Sequence, residues 1–271
     1  KDLDFDQDGE SDGSLDGEVR VDVSSKNEDG TSDATKEIDS DATGIGAKLT
    51  ETVKGLSVTA VSNQKFITTT INVAGAGAAA VTGTTTVNVL NAVTEAYIAD
   101  GAKINCSNNG TASGEQTVRV KAAGNAEMLI IQGTVGVAGA ASVNGSVNIG
   151  IISNTTKAYL GGAVIALQDI GAFALSTERL NVITANVSAA GGAGVGAAAG
   201  VAILDGETLA YVLVGSDLKA GRDINIYAMN NGSVNVDTVS GAGGGIAGVG
   251  GAVVVALVTH TTKAYVENAA T

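Results

Sequence analysis

The chain of 271 residues has no proline and no tryptophan, a single cysteine, and only 3% aromatic side chains. Ordinary usage of about 5% would place roughly thirteen prolines in a chain of this length. Proline cannot donate the backbone hydrogen bond that a central β-strand requires, so its absence favours a chain that is strand almost throughout. The lone Cys106 excludes an internal disulfide, so packing and backbone hydrogen bonds must stabilise the fold.

Basic residues are scarce as well, and the charge is unevenly distributed. The formal net charge is −13, and residues 1–46 hold fifteen acidic and four basic side chains, whereas the remainder holds thirteen and eleven. A protein that binds the phosphate backbone needs a basic stripe, and binding of single strands also needs aromatic side chains for stacking. We therefore expect no nucleic-acid partner.

A four-residue motif, Thr-x-Ala-Tyr, occurs four times and places tyrosines 62, 52 and 54 residues apart: Tyr97, Tyr159, Tyr211 and Tyr265. A Gly/Ala-rich block and then a Val/Ile-rich segment precede each motif. A Gly-Ala-x-Ile/Leu element such as Gly101–Ile104 follows the first two tyrosines, and its variant Gly215–Leu218 follows the third. Gly46–Leu49 is the same element without its tyrosine. A fixed period of this size indicates stacked repeat units, each of which buries a face against its neighbours.

Polar and apolar residues alternate within the repeats, as in Val234-Asn235-Val236-Asp237, and this period of two is a strand pattern. The sequence therefore predicts an all-β fold in which residues 43–271 form a parallel, right-handed β-solenoid of imperfect repeats of 52–62 residues. We expect each repeat to make two or three coils, so that the rod would be roughly 50 Å long at about 4.8 Å per coil. Glycine and alanine should fill corners and narrow interiors.

One segment is long enough for a membrane span, because the eighteen residues Gly241–Val258 contain no charged or polar side chain. Its glycine-rich start and β-branched end disfavour a helix, and no basic clusters flank it to set an orientation. We expect strands here and no membrane insertion. Four glycine-packed helices are the alternative.

Residues 1–42 are polar, acidic and poor in apolar side chains, as is typical of a linker or tail. Their carboxylates alternate and then meet a glycine, an arrangement that can wrap oxygen ligands around calcium. The predicted ligands are Asp4, Asp6, Asp8, Asp12 and Asp16. Leu15 stands where an EF-hand needs glutamate, and the pattern is more similar to the calcium repeats of bacterial extracellular linkers and thrombospondin type 3. A disordered tail that binds no calcium is the alternative.

The Gly/Ala-rich blocks, the Val-Asn-Val and Val-Asn-Ile segments (Val87–Val89, Val147–Ile149), Thr-x-Ala-Tyr and Gly-Ala-x-Ile/Leu together resemble the repeats of large secreted bacterial adhesins. The resemblance is to leukotoxin-like filamentous adhesins, which are related in architecture to filamentous haemagglutinin, and it covers Thr43–Thr271. It implies a β-helical shaft of an extracellular, cell-surface or secreted filament. The implied partner is a receptor or glycan on a host or neighbouring cell, and copies could associate end to end. No residue matches a toxic site, so toxicity does not carry over.

Two other functions are open for such a fold. Some parallel β-helices are carbohydrate-active lyases or hydrolases, and this is the alternative to a non-catalytic shaft. Other β-solenoids bind ice through flat ranks of threonine, which segments such as Thr68–Thr70 suggest. No Thr-x-Thr recurs at one position of every repeat, and this disfavours ice binding.

The candidate catalytic residues are few and dispersed. Asp205 and Glu207 are the closest pair of acids in the repeats, and we interpret them as a solvated turn around Gly206. His260 is the only histidine, has no acidic neighbour in sequence, and is interpreted as a surface strand residue. Cys106 lies in a polar turn and is interpreted as an incidental thiol. We therefore expect no enzyme.

Overall fold

A computed structural model describes residues 54–106 and 113–268, in which every strand pairs in parallel with its neighbours. The strands form three sheets. Sheet 1 contains β1 (Lys54–Ala76), β4 (Gln116–Ala138), β7 (Ile170–Ala190) and β10 (Ile224–Gly244). Sheet 2 contains β2 (Ala79–Ile98), β5 (Ala141–Leu160), β8 (Ala193–Val212) and β11 (Ala247–Val266). Sheet 3 contains the short strands β3 (Lys103–Ile104), β6 (Ala163–Ala166) and β9 (Asp217–Ala220).

The chain visits the three sheets in turn and then stacks on itself, which confirms the predicted parallel β-solenoid. Tyr97 pairs with Tyr159, Tyr159 with Tyr211 and Tyr211 with Tyr265, so the sequence period is the structural period. The expectation of two or three coils per repeat was wrong, because each repeat makes one coil whose two long strands have 20 to 23 residues. Four coils at about 4.8 Å each give a stack of about 20 Å rather than 50 Å.

The Gly/Ala blocks lie at the corner where sheet 1 turns into sheet 2, as predicted. Two residues make each turn, at 77–78, 139–140, 191–192 and 245–246. A Cβ atom added to Gly139 would lie 2.0 Å from the carbonyl oxygen of Gly77, and one added to Gly191 would lie 2.2 Å from that of Gly139. Only glycine lets successive coils approach this closely. The apolar run Gly241–Val258 passes through this corner from β10 into β11, and the described residues contain no helix that could cross a membrane.

A second turn follows Tyr97, Tyr159 and Tyr211, and its conformation explains the glycine of Gly-Ala-x-Ile/Leu. Gly101, Gly162 and Gly215 have φ of 74°, 71° and 75°, in the left-handed region that other residues rarely adopt. Each turn leads into a short strand of sheet 3. The equivalent Gly46 lies outside the described residues.

Side chains of the two long sheets alternate between the interior and the outside, and the even-numbered ones face inward. Because the repeat lengths are all even, each set of residues that share one register position in successive coils, here called a row, keeps the same face. An apolar core forms where the three sheets meet, around Val120, Leu160, Val164, Ile170 and Val212. A second core lies between sheets 1 and 2, around Met128, Ile130, Ile152, Leu180 and Leu204.

The interior becomes polar towards the glycine corner. Amides there donate across the gap to backbone carbonyls of the opposite sheet: Gln132 Nε2 to Thr84, Asn144 Nδ2 to Val187 and Asn186 Nδ2 to Ala197, each at 2.8 Å. These hydrogen bonds hold the two sheets together where glycine and alanine leave little apolar side chain to bury.

Candidate functional site

The four tyrosines form a stacked ladder on the outer face of sheet 2. Ring centroids of successive tyrosines lie 4.8, 4.9 and 5.2 Å apart, and the ring planes differ by 3°, 18° and 5°. Each is the next-to-last residue of its strand, so the predicted equivalence of Tyr97, Tyr159, Tyr211 and Tyr265 is confirmed. The spacing follows from the separation of parallel strands, which is close to a stacking distance for aromatic rings.

Burial within the stacked ladder raises the pKa values of three of its phenols. Burial raises the pKa of Tyr211 to about 12, with further contributions from the neighbouring Tyr159 and Tyr265. The pKa values of Tyr159 and Tyr265 are also raised, chiefly by burial. An ionised phenol beside another ring is disfavoured because the folded ladder removes water from it.

A row of mixed charge lies beside the tyrosines: Glu95, Lys157, Leu209 and Lys263. Lys157 Nζ lies 3.4 Å from Glu207 Oε2, which is on the neighbouring row. Asp205 and Glu207 therefore share the outer face of β8, as their spacing predicted. Their interpretation as a turn was wrong, because β8 runs unbroken through Gly206.

The part of this outer face nearest the glycine corner is apolar. A groove of about 570 Å³ runs along the stack over a floor of small residues: Gly83, Gly145, Ala197 and Gly251. A row of exposed valines borders it on the corner side: Val81, Val143, Val195 and Val249. Exposed apolar patches that extend over several strands mark interaction surfaces in soluble proteins.

A buried carboxylate occupies the interior between sheets 1 and 2. Glu178 is fully buried, and its Oε1 accepts hydrogen bonds from Asn154 Nδ2 at 2.7 Å, Asn230 Nδ2 at 3.2 Å and the hydroxyl of Ser176. Its Oε2 lies 3.8 Å from His260 Nε2. His260 is an exposed residue of strand β11, as predicted, but the sequence did not indicate that Glu178 of the opposite sheet is its acidic neighbour.

Two glycines make room for the imidazole ring of His260. A Cβ atom on Gly232 would lie 2.0 Å from His260 Cε1, and one on Gly206 would lie 2.7 Å from Cδ2. Gly232 pairs with Glu178 and Gly206 pairs with His260, so the ring fills space in both sheets beside the carboxylate. Sequence reasoning missed this site, although the even position of Glu178 between Ser176 and Leu180 was a signal that it faces inward.

The buried cluster lacks the geometry of a catalytic nucleophile. A nucleophilic serine needs a base within reach of its hydroxyl, with a third group orienting that base. Here the hydroxyl of Ser176 donates to Glu178, and the carboxylate lies between the serine and His260. The arrangement is a buried polar network that joins three coils through Glu178 Oε1, whereas Glu178 Oε2 accepts no hydrogen bond from a described residue.

A second ionic cluster holds the start of β7 against the start of β10. Asp169 is buried, and its Oδ1 accepts from Arg222 Nε at 2.8 Å, while its Oδ2 lies 3.5 Å from Arg119 Nη2. The hydrogen bonds from Arg222 lower the pKa of Asp169. Asp169 lies in the connection before β7 and Arg222 lies in the connection before β10, so their ion pair joins the connections of two successive coils.

The predicted calcium ligands Asp4, Asp6, Asp8, Asp12 and Asp16 lie outside the described residues. Within residues 54–106 and 113–268, no group of three or more His, Cys, Asp or Glu side chains could hold a metal ion. Cys106 is exposed, and its Sγ lies 3.5 Å from the carbonyl oxygen of Ala163.

No protein-family model, no curated protein and no solved structure matches this chain. Strand register and stacking therefore define the class directly: the chain is a parallel β-solenoid repeat protein with one coil per repeat. The surfaces of this solenoid provide the observations on which a function can be proposed.

The raised pKa of Tyr211 predicts a loss of stability in alkaline solution. The folded state favours the neutral phenol, so this contribution is present below the ordinary pKa of about 10 and is lost as the pH rises from 10 towards 12. Titration followed by phenolate absorbance should show late ionisation of ladder phenols, the latest step of which Tyr211→Phe removes and Tyr227→Phe, outside the ladder, leaves in place. A single transition near pH 10 in the folded protein would contradict the prediction.

Proposed function

We propose that this chain is a non-catalytic structural and adhesive shaft segment of a bacterial cell-surface or secreted filamentous protein. One observation carries the proposal: side chains of one kind recur at the same register position in each coil, as the tyrosines do. A stack built in this way presents the same surface along its axis, which suits a spacer or a display surface. The resemblance to leukotoxin-like and filamentous-haemagglutinin-like adhesin repeats agrees with this function.

The apolar groove of sheet 2 is a better candidate for the adhesive contact than the tyrosine ladder. Sugars usually pack against the faces of aromatic rings, but the ladder tyrosines cover one another's faces and leave mainly edges and hydroxyls outside. Val143 and Val195 in the groove border lie on the two inner strands of sheet 2 and are 45% and 41% exposed, which is unusual for side chains of this kind without a partner. The proposed partner is a receptor or glycan on a host or neighbouring cell.

The test compares binding of the labelled chain to cells and to immobilised glycans. Val143→Lys with Val195→Lys places two charges on the groove border and should weaken binding at least tenfold. Asn181→Lys on the outer face of sheet 1 is the matched control and should bind as the unmodified chain does. Equal binding by all three proteins would refute the groove as the contact surface. Release of products from polysaccharides would refute the non-catalytic function and favour a carbohydrate-active enzyme.

Calcium binding by residues 1–42 remains a prediction from sequence. The carboxylates crowded between Asp4 and Asp16 repel one another, and a divalent cation would relieve this repulsion while ordering the segment. Calorimetric titration should show binding at millimolar calcium that is lost in Asp4→Ala with Asp8→Ala. Calcium should protect residues 1–20 from proteolysis and leave the melting temperature of the solenoid nearly unchanged. Absence of heat would identify the segment as a plain acidic linker.

A further inference from the structure

The two ends of the coil stack expose strands without a described neighbour. At one end these are β10 and β11, and at the other they are β1 and β2. Edge strands present unpaired backbone groups, which are a template for another strand. Continuing the observed register by one coil would place β1 of a second copy on β10, and β2 of that copy on β11.

The interior rows match across this junction. Leu56, Val118, Ile170 and Ile224 form one row, so Leu56 of a second copy would cover Ile224. Phe66, Val258 and Ile224 are 42%, 49% and 46% exposed at the ends, although all three have the parity of core residues. The apolar pairs that continued stacking would form are Ile224 with Leu56, Ile226 with Val58, Val234 with Phe66, and Val258 with Leu90.

The outer rows match as well, and one of them matches in charge. Tyr265 would stack on Tyr97 and extend the ladder, while Lys263 would lie over Glu95. Lys263 forms no ion pair with any described residue. Residues 54–106 hold three basic and two acidic side chains, and residues 224–268 hold one and two, so the ends have opposite net charge.

One row is mismatched, because Arg222 would approach Lys54 of the second copy. Each of these cations already has an acidic partner in its own chain: Arg222 pairs with Asp169 and Lys54 pairs with Glu115. The repulsion between them is therefore reduced, and both side chains are exposed to solvent, which screens it further.

The area is sufficient for a stable junction. Two facing strands of 20 residues at about 3.3 Å per residue, about 10 Å apart, enclose roughly 660 Å² per end and roughly 1,300 Å² for both. Specific interfaces need about 1,000 Å². Since the two surfaces differ, the contact does not close on itself and repeats along an open filament.

We propose that the end formed by β10 and β11 binds the end formed by β1 and β2 of a second copy of this chain, in continued register. The product is a head-to-tail filament in which the tyrosine ladder and the groove run on from copy to copy. This inference extends the shaft part of the proposed function and does not depend on adhesion.

The test uses the full chain in sedimentation velocity and negative-stain microscopy over a range of concentrations. The mean mass should rise with concentration, and rods should lengthen by about 20 Å per copy. Lys263→Glu and Glu95→Lys should each weaken assembly about fivefold, because each places like charges at the junction. An equimolar mixture of the two variants should assemble far better than either alone, since alternating copies join unlike charges at every junction. Lys157→Glu, in the same row but in an inner coil, is the control and should assemble normally.

Three results would overturn the proposal. They are a chain that stays monomeric at every concentration, a closed dimer that does not grow, and a mixture that assembles no better than the single variants. A monomer that still binds cells would overturn the stacking and leave the adhesive function standing, so the two failures are distinguishable.

Discussion

Gly191→Ala is expected to destabilise the folded stack by about 3 kcal/mol or more, whereas Gly77→Ala should change its stability by no more than about 0.5 kcal/mol. The added Cβ at Gly191 would lie 2.2 Å from the carbonyl oxygen of Gly139, a backbone atom that cannot move without shifting a coil. At Gly77 no described atom lies within 4 Å of the added Cβ. Neither glycine has a left-handed φ, so the comparison isolates the lack of space between coils.

Denaturant unfolding followed by circular dichroism measures the difference. Gly245→Ala provides an independent repeat, because its Cβ would lie 2.3 Å from the carbonyl oxygen of Gly191. It should resemble Gly191→Ala rather than Gly77→Ala. Equal stability of all three variants would mean that the corners of successive coils are not in close contact, and the corner packing described above would be wrong.

The repeat period and its landmarks were predictable because they depend on local chemistry. The left-handed turn at Gly101 requires glycine, and Tyr97 recurs because its ring stacks on the next coil. The number of coils per repeat was not predictable in this way. Globular strands usually have five or six residues, so a repeat of more than fifty suggested several coils. The true corner is a two-residue turn that begins with glycine inside a block already rich in glycine and alanine, and no proline or Asn-Gly signal distinguishes it.

The error in coil number also concealed the buried site. Whether His260 lies near Glu178 depends on how many coils separate them, and one coil per repeat places them on adjacent coils in opposite sheets. Residue parity alone could have shown that Glu178 faces inward with Leu180 and Val182. Parity could not have identified its donors, because Asn154 and Asn230 belong to different coils and come close only in the correct register.

The apolar outer face of sheet 2 could not be predicted from the sequence for a different reason. Strands of parallel sheets are usually covered on both faces and read as continuous apolar runs. In β5, both the inward Ile152 and the outward Ile149 and Ile151 are apolar, so the sequence does not distinguish a covered face from an open one. Within the described residues, no element covers the outer face of sheet 2, and the groove is therefore available for a partner.

Truncation of Glu178 to alanine is expected to cost about 3–5 kcal/mol of folding free energy, because it empties a fully buried site and removes the acceptor of three hydrogen bonds. Asn154 Nδ2 and the hydroxyl of Ser176 would lose their buried acceptor, and a cavity would remain in the core. Glu178→Gln should cost only about 1–2 kcal/mol, since its amide oxygen can still accept from Asn154 and Asn230. His260→Ala should cost about 1 kcal/mol or less, because its side chain is 25% exposed at the end of the stack.

Denaturant unfolding at neutral pH measures the free energy of unfolding of the three variants, and the prediction concerns their order. Circular dichroism before unfolding confirms that each variant is folded. If Glu178→Ala unfolds during purification, Glu178→Gln and His260→Ala still test the network. A glutamine variant as stable as the unmodified chain would mean that the second carboxyl oxygen contributes nothing to stability. A histidine variant that costs as much as the glutamine variant would mean that the imidazole is an essential partner of the carboxylate. The predicted order assigns most of the stabilisation to the amide and hydroxyl donors, because they contact Glu178 at hydrogen-bond distance and the imidazole does not.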